Sequence, residues 1–322
     1  MTAPTVTVAE LLDAFPSLAP YARTATLLKP STGSPAPYES SVGGPPLWPG
    51  DEPWPRCRQP HLVYVREKLT DAEREAWQAV ERNRRARHRP GDPHVLTAAE
   101  VETQSRIMDG GSLDAVAWER VRLVPEPVSG DGPAMVPVLQ LLARDAPALE
   151  WPPGTDLLQL LWCPQDHAEP EGQPRYWGPA VELRHRASAE IGAPAGVPPV
   201  PGGAKEVYLP APCRLDPVEV LDLPEQDELP EELYESVEEW AGERGTDYNR
   251  VLGCLPGWKA GGWPSWHLTD FTPLDCRCGA RMRLLLTLDS GGDPGLGVGR
   301  YGELRVFRCP EDPDHPVRLN IQ

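Results

Sequence analysis

The spacing of apolar side chains along the chain predicts four amphipathic helices. In the clearest one, Leu233, Val237 and Trp240 recur at i, i+4 and i+7 within an acidic stretch, and Pro230 stands at its first turn. The other three each begin with a Thr-x-x-Glu capping box, in which two side chains satisfy free backbone N–H groups. The predicted helices lie near 7–15, 70–88, 98–109 and 230–243.

Short runs of apolar and β-branched residues outside these helices predict strands. Gly- and Pro-rich turns bound many of them. The predicted strands are Thr24–Lys29, His61–Arg66, Val116–Val124, Val136–Leu142, Leu157–Trp162, Val181–Arg186, Val207–Leu209, Val218–Leu221, Arg283–Leu288 and Glu303–Phe307. The pattern predicts a β-rich α+β fold with mostly antiparallel sheets and peripheral helices.

Four blocks recur in the same order in the two halves of the chain, which indicates an internal duplication. They are a Gly-Gly turn, a cysteine, a strand led by Met, and a strand that ends in Cys-Pro followed by Asp and His. The matching blocks are Gly43–Trp48 with Gly261–Trp266, Cys57 with Cys276, Met135–Leu141 with Met282–Leu288, and Leu158–His167 with Leu304–His315. We predict a first repeat over 1–190 with a helical insertion at about 69–130, a Pro/Gly-rich linker or loop over 191–204, and a second repeat over 205–322.

Several of these segments resemble the YwqG-like bacterial family of unknown function. The segments are Gly43–Pro46, Leu252–Gly253, Leu285–Asp289 and Gly299–Phe307. The family pattern has a Leu-Leu-Gln-Leu-Asp strand and a Gly-Asp-x-Gly turn. Here Thr287 replaces the Gln, and Arg300-Tyr301-Gly302-Glu303 replaces the Gly-Asp turn. The resemblance implies a cytoplasmic, β-rich α+β protein built by duplication, and it carries over no catalytic residues.

The charge of the chain narrows the choice of partners. Its 322 residues include 31 Lys and Arg against 48 Asp and Glu, for a net charge of −17. This charge repels phosphate backbones and anionic lipid headgroups, so we expect no nucleic acid and no membrane surface as a partner. It favours a basic protein or peptide. The first residues lack the basic and apolar regions of a secretory signal, so we expect a cytoplasmic protein.

The cysteines supply the best candidate for a metal site. A reducing cytoplasm disfavours a disulfide framework for the seven cysteines, so free thiols or a metal are expected. Cys276, Cys278, Cys309 and His315 would provide four ligands for a tetrahedral zinc, because the hairpin of 283–288 and 303–307 brings Cys278 and Cys309 to one end. The alternative is that they are packing thiols.

In the first repeat, Cys57, Cys163 and His167 are too few for a closed site by themselves. A degenerate or shared metal site is the form that these three residues allow.

Five tryptophans stand in Gly/Pro-rich loops that the duplication places in equivalent positions. They are Trp48, Trp54, Trp258, Trp263 and Trp266. Loop tryptophans can form a binding surface for a peptide, a sugar or a protein, since they offer a large area at little entropic cost. The competing interpretation is that they close the ends of the β units as core residues, and the sequence favours it slightly.

These features favour a binding or interaction protein over an enzyme. No Gly-x-Ser-x-Gly or His-Glu-x-x-His motif occurs, and no catalytic residue stands out. The first hypothesis is a non-enzymatic cytoplasmic binding protein with a structural zinc in its second half. The alternatives are a metal- or cysteine-dependent hydrolase that uses the 276–315 cluster, and a binder of small ligands between the two halves.

Overall fold

One antiparallel sheet contains most of the strands from the C-terminal part of the chain. The computed structural model describes residues 6–89, 95–266 and 271–322. The strands of this sheet are β1 (Arg23–Leu27), β11 (Val218–Asp222), β12 (Lys259–Gly261), β13 (Arg283–Asp289), β14 (Glu303–Arg308) and β15 (Arg318–Ile321). Their order is β11-β1-β12-β13-β14-β15, so a strand near the N-terminus lies inside a sheet of C-terminal strands.

A second antiparallel sheet of six strands is drawn mainly from the first half. Its strands are β2 (Ser31–Thr32), β3 (Ser41–Val42), β7 (Val136–Leu142), β8 (Leu157–Ala168), β9 (Trp177–Arg186) and β10 (Cys213–Arg214). The order is β2-β10-β3-β7-β8-β9. Each sheet therefore includes one strand from the opposite side of the predicted 191–204 linker, β1 in the first sheet and β10 in the second. The α+β prediction with mostly antiparallel sheets is confirmed.

The two sheets repeat the same hairpin with the same irregularity. In the β7–β8 pair the register shifts between Pro137 and Leu139, and in the β13–β14 pair it shifts between Leu284 and Leu286. These positions correspond in the alignment that starts at Met135 and Met282. A bulge adds one unpaired residue and bends its strand, so a shared bulge marks a shared backbone design. The internal duplication is therefore visible in the backbone as well as in the sequence.

The main core contains side chains from both sheets. Val138, Leu141 and Trp162 from one sheet and Leu286 and Val306 from the other belong to one buried cluster. Neither sheet could bury its apolar face by itself, so the packing of one sheet against the other joins the two repeats in one hydrophobic core. A smaller cluster packs α1 (Val8–Ala14) and α4 (Glu231–Glu243) beside the π-helical turn Tyr248–Leu252.

The repeated Gly-Gly turns follow β3 and β12. Gly43 and Gly262 both have positive φ, at 62° and 76°, a region that L side chains rarely adopt. A Cβ on Gly43 would also lie 2.7 Å from the carbonyl oxygen of Pro210. Glycine is therefore required at these turns by conformation and by space.

The insertion forms a compact unit of its own, Pro60–Val128, while the rest of the described chain forms the other unit. It contains α2 (Asp71–Arg87), α3 (Ala98–Met108), and a sheet of β4 (His61–Lys68), β5 (Ser112–Asp114) and β6 (Glu119–Glu126) in the order β4-β6-β5. The sequence predicts a helical insertion, but the structure shows a three-stranded sheet beside the two helices. Both helices begin with the predicted capping boxes. Residues 90–94 of the predicted insertion lie outside the described residues.

Two predicted strands differ from the structure. The run Val116–Val124 is divided by Trp118, which has a φ of 55° and turns the chain between β5 and β6. The run Val207–Leu209 lies in and beside a 3-10 turn, Glu206–Tyr208, in which only Tyr208 is buried. The Tyr208 carbonyl oxygen accepts a hydrogen bond from the indole of Trp162, which fixes this turn by a tertiary contact.

Candidate metal centre

The β13–β14 hairpin brings the four predicted zinc ligands of the second repeat together. We call Cys276, Cys278, Cys309 and His315 the C-terminal group. Cys309 directly follows β14, and Cys276 precedes β13 in a tight turn closed by the hydrogen bond from Gly279 N to Cys276 O. Gly279 has a φ of 88°, so the turn needs glycine there, and it presents Cys278 next to Cys276.

The ligand atoms of the C-terminal group all lie within 4.8 Å of one another. His315 Nδ1 is 3.3 Å from Cys276 Sγ and 3.4 Å from Cys309 Sγ, and the sulfurs of Cys278 and Cys309 are 3.5 Å apart. A tetrahedral zinc holds its sulfur ligands about 3.8 Å apart and a sulfur and a nitrogen about 3.6 Å apart. The separations are therefore close to those of a metal site, and the sulfurs are too far apart for a disulfide.

Hydrogen bonds within the C-terminal group favour a thiolate on Cys309. Burial by itself raises the pKa of this thiol, but hydrogen bonds from His315 and from the backbone N–H groups of Glu311 and Asp312 outweigh it, and the pKa falls to about 6. For Cys278 the Ala280 N–H favours the thiolate, yet burial and bonding to the neighbouring thiols leave its pKa raised. A cation would be attracted to a site that already holds negative charge.

The ring of His315 is oriented from its far side. Its Nε2 lies 3.3 Å from a carboxylate oxygen of Asp312, and its backbone N–H donates to the Asp312 carbonyl oxygen. A carboxylate on the outer nitrogen is a common support for a metal-binding histidine, because it fixes the ring and directs the other nitrogen to the metal.

The same contacts resemble a Cys–His–Asp nucleophile arrangement. Cys309, His315 and Asp312 form a chain of contacts in which a base activates a thiol and a carboxylate orients the base. However, Cys309 is only 3% exposed, and two further thiols crowd it. A substrate would need open space beside its sulfur, so the geometry fits a metal better than a nucleophile.

A small apolar cluster surrounds the C-terminal group. Trp266, Met282, Leu284 and Phe307 pack with Cys276 and Cys309. Among the residues that the structure describes, six buried ones form this cluster, and much of 271–282 and 309–317 has no regular secondary structure. Few hydrophobic contacts hold this end of the sheet, which is the setting in which a metal stabilises a fold most.

The first repeat also gathers potential metal ligands. We call Cys57, Cys163 and His167 the N-terminal group. Their ligand atoms lie within 4.8 Å of one another, with Cys57 Sγ 3.7 Å from His167 Nε2. A hydrogen bond to Cys57 and then burial raise the pKa of Cys163. Two Cys/His groups thus have the geometry to hold a metal ion, whereas the sequence points to one closed site.

The five loop tryptophans are largely enclosed. Trp48, Trp258, Trp263 and Trp266 are each no more than 7% exposed, and Trp54 is half-buried. Trp48 packs in the cluster around the N-terminal group and Trp266 in the cluster around the C-terminal group. Little indole surface is left for a partner, and the arrangement agrees with closure of the β units.

A groove lined by arginines was not predicted from the sequence. A cavity of about 380 Å³ beside the C-terminal group is lined by Arg23, Arg281 and Arg283, and also by Glu228 and Glu311. Burial and then the charge of Arg283 lower the pKa of Arg23, whose guanidinium carbon lies 3.2 Å from the centre of the Trp263 ring. These arginines are far apart in the sequence, so only the fold brings them together.

In comparisons with protein-family models and with curated proteins, none matches this chain. The resemblance to the YwqG-like family therefore stays a prediction, carried by the short motifs alone. Within 6–89, 95–266 and 271–322, no helix combines the length and the apolar character needed to cross a membrane.

Proposed function

We propose that this chain is a zinc-stabilised binding protein whose C-terminal group holds one structural zinc ion. The observation that carries the proposal is the set of four ligand atoms within 4.8 Å of one another, with three separations between 3.3 and 3.5 Å. Three thiolates and an imidazole are a donor set that zinc favours over magnesium or calcium.

A structural role fits this group better than a catalytic one. Catalytic zinc keeps a coordination position for water or substrate, and four protein ligands leave none. The zinc would connect the turn at Cys276–Cys278 to the chain after β14, where the apolar cluster is small. Its contribution would be to hold the end of the second repeat in place, and the protein would act by binding.

Metal analysis of the purified, untagged chain tests this site. We expect zinc in the wild-type protein, and one equivalent less in Cys276→Ser and in Cys309→Ser. The matched control is Cys213→Ala, a buried free cysteine on β10. It should keep the full metal content. Equal metal content in wild type and both serine variants would overturn the proposal.

The hydrolase alternative makes a different prediction for thiol reactivity. A zinc-bound Cys278 is exposed but should resist iodoacetamide until a chelator removes the metal. A catalytic Cys309 would instead be alkylated first, with or without chelator. Peptide mapping of the alkylated cysteines separates the two.

The net charge of −17 supports a basic protein or peptide as the partner, in a cytoplasmic setting. Such a complex should weaken as salt rises, because screening reduces the attraction between exposed charges. A complex that is insensitive to salt would contradict this choice of partner.

The arginine groove favours a second candidate function, binding of a small anion. Arg281 pairs with Glu228 only at 3.7 Å, and Arg283 pairs with the exposed Glu150 at 3.3 Å, so an anion could displace either contact. Inorganic phosphate should raise the melting temperature of the wild type at constant ionic strength. It should not do so for Arg281→Ala/Arg283→Ala. The control is Arg300→Ala, which removes an exposed arginine outside the groove.

A further inference from the structure

The N-terminal group occupies the same place in its repeat as the C-terminal group does in the other. Cys163 directly follows Trp162, which pairs with Val136, and Cys309 directly follows Arg308, which pairs with Arg283. Val136 and Arg283 are the equivalent first residues of β7 and β13. Both cysteines are therefore at the same step of the same hairpin.

The two cysteines share a local backbone contact, although β8 continues to Ala168 and β14 ends at Arg308. Each is followed by Pro, and in each case the backbone N–H two residues later, of Gln165 or Glu311, donates to the cysteine sulfur. An N–H bond to sulfur stabilises a thiolate, the form that binds a metal. A histidine then follows, His167 in one repeat and His315 in the other.

The preceding cysteines are also held alike. Cys57 N donates to Pro133 O, and Met135 N donates to Pro55 O. In the second repeat, Cys276 N donates to Ala280 O, and Met282 N donates to Leu274 O. Isolated bridges, Arg56 with Ala134 and Asp275 with Arg281, occupy the equivalent positions between these pairs of bonds. The backbone that presents Cys57 is therefore the same as that which presents Cys276.

The two repeats differ in what joins these paired segments. In the second repeat a short turn carries Cys278, the fourth ligand of the C-terminal group. In the first repeat the Pro60–Val128 insertion stands in place of that turn. The first repeat therefore keeps three of the ligands at equivalent places, Cys57, Cys163 and His167.

We propose that the first repeat binds a second zinc ion through Cys57, Cys163 and His167, whose ligand atoms all lie within 4.8 Å of one another. Cys57, Cys163 and His167 are all at most 5% exposed, and their neighbours Trp48, Met135 and Leu161 are apolar. Two thiolates and an imidazole are a donor set that favours zinc over magnesium or calcium. This site does not depend on the occupancy of the C-terminal group.

The metal count of the wild-type protein is the primary test, because it needs no variant. Inductively coupled plasma mass spectrometry should find two zinc ions per chain, and one in Cys163→Ser. Cys213→Ala is the control and should keep both.

Reconstitution with Co²⁺ gives a second reading, since thiolate-to-cobalt absorption depends on the number of thiolates at the metal. Cys309→Ser should leave the weaker spectrum of a two-thiolate centre, and Cys163→Ser that of a three-thiolate centre. One zinc per chain that Cys163→Ser retains would overturn the second site while leaving the C-terminal site intact.

Discussion

Cys163 and Cys309 occupy equivalent positions in the β7–β8 and β13–β14 hairpins, in two different sheets of one compact unit. Both are buried, and both accept a backbone N–H bond from the second residue after them. A duplication that preserved only hydrophobic packing would not need to preserve this bond to sulfur. We therefore interpret the repeat as a duplication of a metal-binding hairpin.

The buried ion pair of Asp222 and Lys259 should be essential for stability. Their side chains are at most 1% exposed, Lys259 Nζ lies 2.9 Å from the carboxylate, and that carboxylate also accepts from Leu255 N and Trp263 N. We expect Asp222→Ala to reduce the free energy of unfolding by about 3–5 kcal/mol, because it leaves a buried ammonium without its counter-charge.

Lys259→Met should cost less, since the two backbone donors still compensate the Asp222 carboxylate. Urea unfolding measures both variants. Glu243→Ala serves as the control, because it removes a carboxylate from an exposed ion pair and should change stability by less than about 1 kcal/mol. A larger loss in Lys259→Met than in Asp222→Ala would contradict this ranking.

Alkaline pH should destabilise the fold through Cys254. Burial raises the pKa of this thiol to about 12, whereas an unfolded cysteine titrates near about 8.5. Above the lower value only the unfolded chain releases the proton, so stability falls by about 1.4 kcal/mol per pH unit. The raised pKa of Lys259 acts in the same direction, but only above about pH 10.4.

Cys254→Ala should therefore lose less stability than wild type between pH 8.5 and 10. Urea unfolding at a series of pH values gives the two slopes. Parallel slopes for variant and wild type would show that Cys254 does not titrate in this way.

Acid should loosen the two helices of the insertion through Glu100. Its carboxylate accepts hydrogen bonds from Arg87 and from the backbone N–H of Thr97, which lower its pKa to about 2. A depressed pKa stabilises the folded state above the unfolded value of about 4.3, and this contribution is lost as the pH falls towards 2.

We expect Glu100→Gln to make α2 and α3 less protected at neutral pH and less sensitive to acid. Hydrogen exchange between pH 5 and 2.5 measures the protection of these helices. Glu102→Gln, at an exposed position of the same helix, is the control and should behave as wild type. An unchanged acid response in Glu100→Gln would exclude this carboxylate as its source.

Trp263→Ala tests the packing role of the loop tryptophans. The indole N–H of Trp263 donates to Tyr21 O at 2.7 Å, and the Arg23 guanidinium lies on its ring. Removing this buried side chain should cost about 3–5 kcal/mol and lower the melting temperature. Unchanged melting together with loss of a bound partner would instead favour a recognition surface.

The sequence predicts best those parts of the fold that are determined locally. All three capping boxes form, and the long apolar strands β7, β8, β13 and β14 begin at the predicted residues. The two- and three-residue strands β2, β3, β10 and β12 were not predicted, because tertiary pairing rather than local pattern creates them. For the same reason the sequence does not predict that β1 and β10 each lie in the sheet of the other half.

The two groups of candidate metal ligands also differ in how far the sequence predicts them. The C-terminal group is predictable because its four ligands belong to one hairpin and its flanking turns. The N-terminal group is hidden by the insertion, which separates Cys57 from Met135 by the length of a whole unit.

Chelation should reveal how much stability the metal contributes. A ligand present at about a thousand times its dissociation constant stabilises a fold by about 4 kcal/mol, so removing zinc should lower the melting temperature by about 10 °C. Differential scanning calorimetry with and without chelator measures the shift. Zinc added back should restore the transition, and a chelator without effect on a metal-loaded protein would contradict a structural role.

The most direct measurement is the native mass of the intact, untagged protein beside that of Cys309→Ser. We expect a wild-type mass above that of the polypeptide by bound zinc, and a variant that carries one zinc fewer after correction for the substitution. Acidification should reduce both to the polypeptide mass, because protonated thiols and imidazoles release the metal. A wild-type protein whose native mass equals that of its polypeptide would contradict the central claim.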